Sequence, residues 1–183
     1  MRITILLCLS LCLLTPLASA DTITLLSVQS EPGDFIGEGL TYVLTPDDGI
    51  FNTTSNAGSG VTVTLHDADY SMWWQIDFAA KNYAPLTVGD YPNAIRYPSP
   101  WLPDSNQVQV SANYRGCNVL TGDFEVRYLT WASPTQVQSF WAVVHQRCEG
   151  DGKPLLTVEI MYNLDQEVPV HTTTWGSLKS RYR

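Results

Sequence analysis

The sequence predicts an all-β domain, a single antiparallel β-sandwich of jelly-roll type with roughly nine or ten strands and one disulfide. Three observations carry this expectation. Apolar and polar residues alternate with a period of two through most of the chain. Turn-forming residues interrupt the alternation at short intervals. Two cysteines that follow an N-terminal export signal, Cys117 and Cys148, form the pair that an oxidising compartment would join.

Residues 1–20 read as a cleavable signal peptide. Arg2 supplies the positive start, Ile3 to Leu14 the apolar run, and Ala18-Ser19-Ala20 the small-residue cleavage site. The run is shorter than the roughly 20 apolar residues that span a bilayer. Cys8 and Cys12 lie inside it, and neither follows the small residue that lipid attachment requires. The mature chain is expected to begin at Asp21, leaving about 163 residues, enough for one domain over 21–163 with its own core.

The strands follow in order. Val61, Val63 and Leu65 alternate with Thr62, Thr64 and His66; Met72, Trp74, Ile76 and Phe78 alternate with Ser71, Trp73, Gln75 and Asp77. Val108, Val110 and Ala112 oppose Gln107, Gln109 and Ser111, and Phe124, Val126 and Tyr128 oppose Asp123, Glu125 and Arg127. Phe140, Ala142 and Val144 lead to Cys148, and Leu156, Val158, Ile160 and Tyr162 close the series. One apolar and one polar face per run is the pattern of half-buried antiparallel strands. Breaks fall at Asp47-Asp48-Gly49, Asn56 to Gly60, Gly89-Asp90, Pro98 to Pro103, Ser133-Pro134 and Glu149 to Pro154. No segment between 21 and 163 sustains a helical period. Residues 164–183 read as a C-terminal appendage, where Trp175, Leu178 and Tyr182 would share one face of a short helix ahead of Lys179, Arg181 and Arg183.

Charge narrows the partners. The chain carries ten Lys and Arg against eighteen Asp and Glu, a formal charge of −8, one unit more negative once Arg2 is removed. Such a balance argues against nucleic acid and anionic membranes. The cysteine pair is read as a disulfide closing a loop worth about 3–4 kcal/mol, because two thiols so far apart lack the close ligand spacing of a zinc site. Arg115 and Glu149 flank the cysteines and are expected to pair.

Catalytic signatures are sparse. No serine sits in a Gly-x-Ser-x-Gly elbow, and the three histidines, His66, His145 and His171, show no triad or metal spacing. Asp77, Glu125 and Glu159 fall on polar strand faces, where a glycosidase pair of carboxylates about 5–10 Å apart would have to form. Asp47-Asp48-Gly49, His66-Asp67-Ala68-Asp69 and Glu149-Gly150-Asp151-Gly152 offer the oxygen ligands calcium favours, without the spaced loop of a known calcium site. No cofactor or metal is therefore expected. Asn52-Thr53-Thr54 is a glycosylation sequon with little weight in a chain whose short signal reads as bacterial.

The aromatics say more. Six tryptophans and nine tyrosines are many for one domain. Alternation sends Trp74, Phe124 and Phe140 inward and leaves Trp73, Trp131 and Trp141 among polar neighbours. Flat rings exposed on a sheet stack on sugar rings, so Trp73, Trp131 and Trp141, with His145, are the candidate ligand-binding residues.

The chain resembles an uncharacterised domain family of bacterial secreted proteins. The resemblance rests on Gly33-Asp34-Phe35-Ile36-Gly37, Trp73 to Ala80, Leu86 to Gly89 with Tyr91, Ala94 to Pro98, Arg115-Gly116-Cys117-Asn118 with Gly122 to Val126, and Gln146 to Gly150. It spans about residues 27–163, with Arg147 standing where the pattern has a histidine. It implies the fold and the disulfide and supplies no mechanism. The expected function is a secreted, non-catalytic module that binds a surface, through an extracellular polysaccharide or a cell-surface protein. The alternatives are a glycoside hydrolase or lyase using sheet-face carboxylates, and a self-associating structural protein.

Overall fold

The computed structural model describes residues 22–55 and 58–165. The signal segment, His171 and the candidate helix after Trp175 lie outside them. The described chain is all-β, with ten strands: β1 (Thr22–Ser30), β2 (Thr41–Leu44), β3 (Ile50–Ser55), β4 (Gly60–His66), β5 (Trp73–Ala79), β6 (Gly89–Arg96), β7 (Gln107–Ala112), β8 (Leu120–Ser133), β9 (Gln136–Cys148) and β10 (Leu156–Asp165). A single 3-10 turn at Lys81–Tyr83 is its one helical element. Among the described residues no helix is long and apolar enough to cross a membrane.

The strands form one sheet in the order β2-β1-β10-β9-β8-β6-β7-β5-β4-β3. The expected sandwich of two separate sheets is thus replaced by a single curled sheet, a half-barrel, and its mostly sequential strand order is a meander rather than a jelly roll. The physical reason is β6. It pairs with β8 through a bulge at Pro92 and Asn93 and with β7 in parallel through Ile95 and Arg96, stitching both layers together. The sheet is therefore mixed, not wholly antiparallel.

Curling brings the two halves face to face around one core. Phe78 on β5 meets Phe124 on β8 and Phe140 on β9 edge-on, with ring centroids 5.4 and 5.1 Å apart. Tyr42 on β2 meets Trp74 at 5.5 Å. The alternating residues Val61, Val63, Leu65, Ile76, Val108, Val110, Val144, Val158 and Ile160 fill the space between. Each fully buried aliphatic side chain contributes about 1.5–3 kcal/mol.

One polar side chain belongs to this core. Strand β6 leaves the edge of β7 after Arg96, and the backbone of Val110 beyond it has no strand neighbour on that side. Gln146, 0% exposed, fills the gap: its amide accepts from the Val110 N–H at 2.8 Å and donates to the Val110 carbonyl at 3.2 Å. The same amide donates to Cys117 Sγ at 3.2 Å. Cys117 and Cys148 are bonded, as expected, with Cα atoms 5.0 Å apart. Cys148 ends β9, whereas Cys117 lies in the connection before β8 rather than at a strand end.

Other motif residues also serve the fold. Asp34 is buried and accepts from Ser30 Oγ and the Gly37 N–H at 2.9 and 2.7 Å, closing the turn after β1. A side chain at Gly37 would start 2.5 Å from Ser30 Cβ, so the turn needs glycine. The Tyr91 hydroxyl bonds both the N–H and the carbonyl of Thr87 while its ring stacks on Phe124 at 4.4 Å. Arg115 does not pair with Glu149: it reaches Glu38 at 2.7 Å, and Glu149 accepts from Asn118.

Candidate functional site

The polar faces of β3, β4, β5 and β7 combine into one outer surface, because residues in register across a sheet share a face. Its first row is Ile50, His66 and Trp73; the second is Asn52, Thr64, Gln75 and Ser111; the third is Thr54, Thr62, Asp77 and Gln109. The first row is mostly aromatic and the other two are hydroxyl, amide and carboxyl groups.

Two turns extend the aromatic row. Tyr70 stacks on His66 with centroids 4.1 Å apart and planes within 10°. Tyr114, 90% exposed, stacks on Trp73 at 6.4 Å and 20°. Tyr114 lies in a two-residue hairpin turn between Ala112 and Arg115, whose backbones bond each other in both directions. Asn113 anchors that turn, its Oδ1 accepting from the Trp73 N–H and its own N–H donating to the Trp73 carbonyl. Such turns demand positive φ at both central residues, a conformation suited to Asn and Gly. Asn113 and Tyr114 have φ of 47° and 65°, and Tyr70 has 59°. A bulky residue there costs roughly 1–2 kcal/mol, so both tyrosine rings are held on the face against local backbone preference.

Asp77 anchors the polar rows. It is 5% exposed and accepts from Thr62 Oγ1 at 2.7 Å and Gln75 Nε2 at 2.8 Å. Burial raises its pKa above the ordinary 3.8, with the two hydrogen bonds working in the opposite direction. Gln109 donates to Ser111 Oγ at 2.9 Å and accepts from Arg96 Nε at 3.0 Å. Tyr97 borders the third row, lining a small cavity with Thr54 and Thr62, and its pKa is raised first by burial and then by the charge of Asp77. Sequence reading missed Tyr97, Tyr70 and Tyr114, since all three lie in or beside turns where alternation carries no signal.

The four sequence-derived candidates separate. Trp73 alone joins this face. Trp141 is 4% exposed, so the expectation of an open ring is corrected: Arg127 lies 5.2 Å over it, its Nε1 donates to Glu159 at 2.9 Å, and Met161, Leu164 and Tyr128 surround it. Trp131 is corrected too, because a register shift between Val126 and Tyr128 reverses the strand's phase. Tyr128 turns outward to Trp141, and Leu129 and Trp131 turn onto the main core. His145 lies on the opposite outer surface, its Nδ1 2.8 Å from Asp123 Oδ1. The pair borders an open groove of about 760 Å³ with Asp90, Glu125, Arg147 and Asp151. No serine or cysteine lines it.

Glu125 and Glu159 both bond Arg127, at 2.8 and 3.3 Å. The turn carboxylates proposed for calcium close their own loops: Asp48 accepts from Thr45, Asp67 from Ser71 and Met72, and Asp151 from Thr121. The Ser71 bond leads the causes that hold Asp67 below the usual carboxylate pKa. Among the described residues no three His, Cys, Asp or Glu side chains assemble into a metal-holding group. No protein-family model, curated protein or solved structure matches the chain.

Proposed function

We propose that this chain is an exported, non-catalytic binding module that holds an extended ligand on the outer face of β3, β4, β5 and β7. The observation that carries this reading is the aromatic row of Tyr70, His66, Trp73 and Tyr114, in which the exposed Tyr70 and Tyr114, held at a backbone cost, flank the half-buried His66 and Trp73. Neighbouring side chains on the same sheet can cover such a ring, as those of Arg127, Tyr128, Met161 and Leu164 cover Trp141. Export is supported by the signal-like start and by the Cys117–Cys148 disulfide.

The glycosidase reading receives less support. It needs a second carboxylate across from the first. The cross-strand neighbours of Asp77 are Thr62 and Gln109; on the other surface Asp90 stands opposite Glu125, whose carboxylate, like that of Glu159, is engaged by Arg127.

The test is intrinsic tryptophan fluorescence and pull-down with the purified chain against insoluble polysaccharides, cell-wall preparations and surface-protein extracts. Retention by one ligand, weakened in Trp73→Ala and kept in His145→Ala, is expected. Retention lost in His145→Ala and kept in Trp73→Ala would move the site to the opposite surface.

A further inference from the structure

The two outer surfaces of the half-barrel differ in charge, and the difference names a ligand class. The surface of β8 and β9 carries Asp123, Glu125, Arg127 and His145. The surface of β4, β5 and β7 has one ionisable carboxylate in its paired rows, Asp77, and both its oxygens already accept hydrogen bonds. Resting on the binding-face reading above, we infer that the ligand is an uncharged, hydroxyl-rich polysaccharide whose chain runs along β4 and β5 from Trp73 toward Tyr97.

Three features of the face favour that class. Stacked rings offer flat apolar area to the C–H faces of a sugar without requiring charge. Gln75, Thr64 and Asn52 in the next row supply amide and hydroxyl groups that both donate and accept, as sugar hydroxyls do. An anionic polymer approaches a chain that is acidic overall, on a face whose one bonded guanidinium, Arg96, already donates to Gln109. A cationic polymer would gain little there, because the Asp77 carboxylate is 5% exposed. The direction follows from geometry. Four residues separate Trp73 from Asp77 on β5, about 13–14 Å at strand rise, and Tyr97 borders Thr54 and Thr62 in the row of Asp77, so aromatic groups bracket the polar rows at Trp73 and at Tyr97.

The experiment is retention of the full chain on cellulose, chitin, starch and xylan beside carboxymethyl-cellulose, alginate and chitosan, at low and high salt. Retention by at least one uncharged polymer, equal at both salt concentrations, is expected. Trp73→Ala, Gln75→Ala and Tyr114→Ala should each weaken it about tenfold, the effect of about 1.4 kcal/mol. Tyr114 is 90% exposed, so its truncation keeps the test alive should Trp73→Ala fail to fold. Retention confined to charged polymers and lost in high salt, yet still weakened by Tyr114→Ala, would overturn the ligand class and leave the face standing. No retention by any polymer, or retention indifferent to Tyr114→Ala and Trp73→Ala alike, would overturn both.

Discussion

Trp73 and Trp141 look alike in sequence, since each follows or precedes apolar core residues on a strand and each falls on the polar side. Their surroundings separate them. Trp141 sits under Arg127 and donates to Glu159, so Trp141→Ala should cost about 3–5 kcal/mol in chemical denaturation, by cavity formation and by the lost hydrogen bond to a carboxylate. Trp73→Ala should cost about 1 kcal/mol, because its ring is half-exposed. Tyr114 makes a sharper claim. Asn tolerates its left-handed backbone better than Tyr, so Tyr114→Asn should hold stability equal to the parent or raise it by up to about 1 kcal/mol while weakening ligand retention. A clear fall in stability would mean that the ring is structural. Asp77 gives a pH signature. Its folded pKa is raised, so the folded state binds the proton more tightly and stability falls as pH rises from 3.8 through the folded value. Asp77→Asn, with the Gln75 amide rotated to accept, should gain stability relative to the parent over that window. A pH-independent difference between the two denaturation series would show that the ionised carboxylate carries no burial penalty.

At the scale of elements, alternation located β4, β5, β7, β9 and β10 well, because each turns alternate residues onto the main core over most of its length. It failed on the second half of β8. The register shift after Val126, the first of three in this pairing, reverses the phase of the side chains that follow, which is why Tyr128 and Trp131 exchanged faces. A bulge inserts no distinctive residue here, so the phase change has no local mark in the sequence. Strand β6 was invisible for a related reason. Pro92 and Asn93 interrupt it, and its pairing with β7 lasts two residues. Gln146 compensates for that short pairing by supplying an amide where a strand would have continued. Gln146→Leu should therefore cost about 2–4 kcal/mol, since it leaves a buried N–H and a buried C=O of Val110 without partners. A urea midpoint within error of the parent would mean that those groups find another partner.

For the whole molecule, the disulfide and the curl act together. Cys117 and Cys148, 31 positions apart, close a loop that contains all of β8 and β9, and removing the cross-link in a Cys117→Ser, Cys148→Ser double variant should cost about 3–4 kcal/mol under non-reducing conditions. Equal stability of that variant and the parent would show that the loop is already restricted when unfolded. The all-β class, the core side of most strands, the cysteine pair and Trp73 as a face residue were determined by the sequence alone. All of them depend on local periodicity or on a two-residue count. The union of two layers into one half-barrel was decided only in three dimensions, as were the burial of Trp141, the turn of the half-buried Trp131 onto the core, and the gathering of Tyr70 and Tyr114 beside Trp73 with Tyr97 at the other end of the rows. Those outcomes depend on register shifts and on turn geometry, which bring residues distant in the chain onto one surface and leave no period to read.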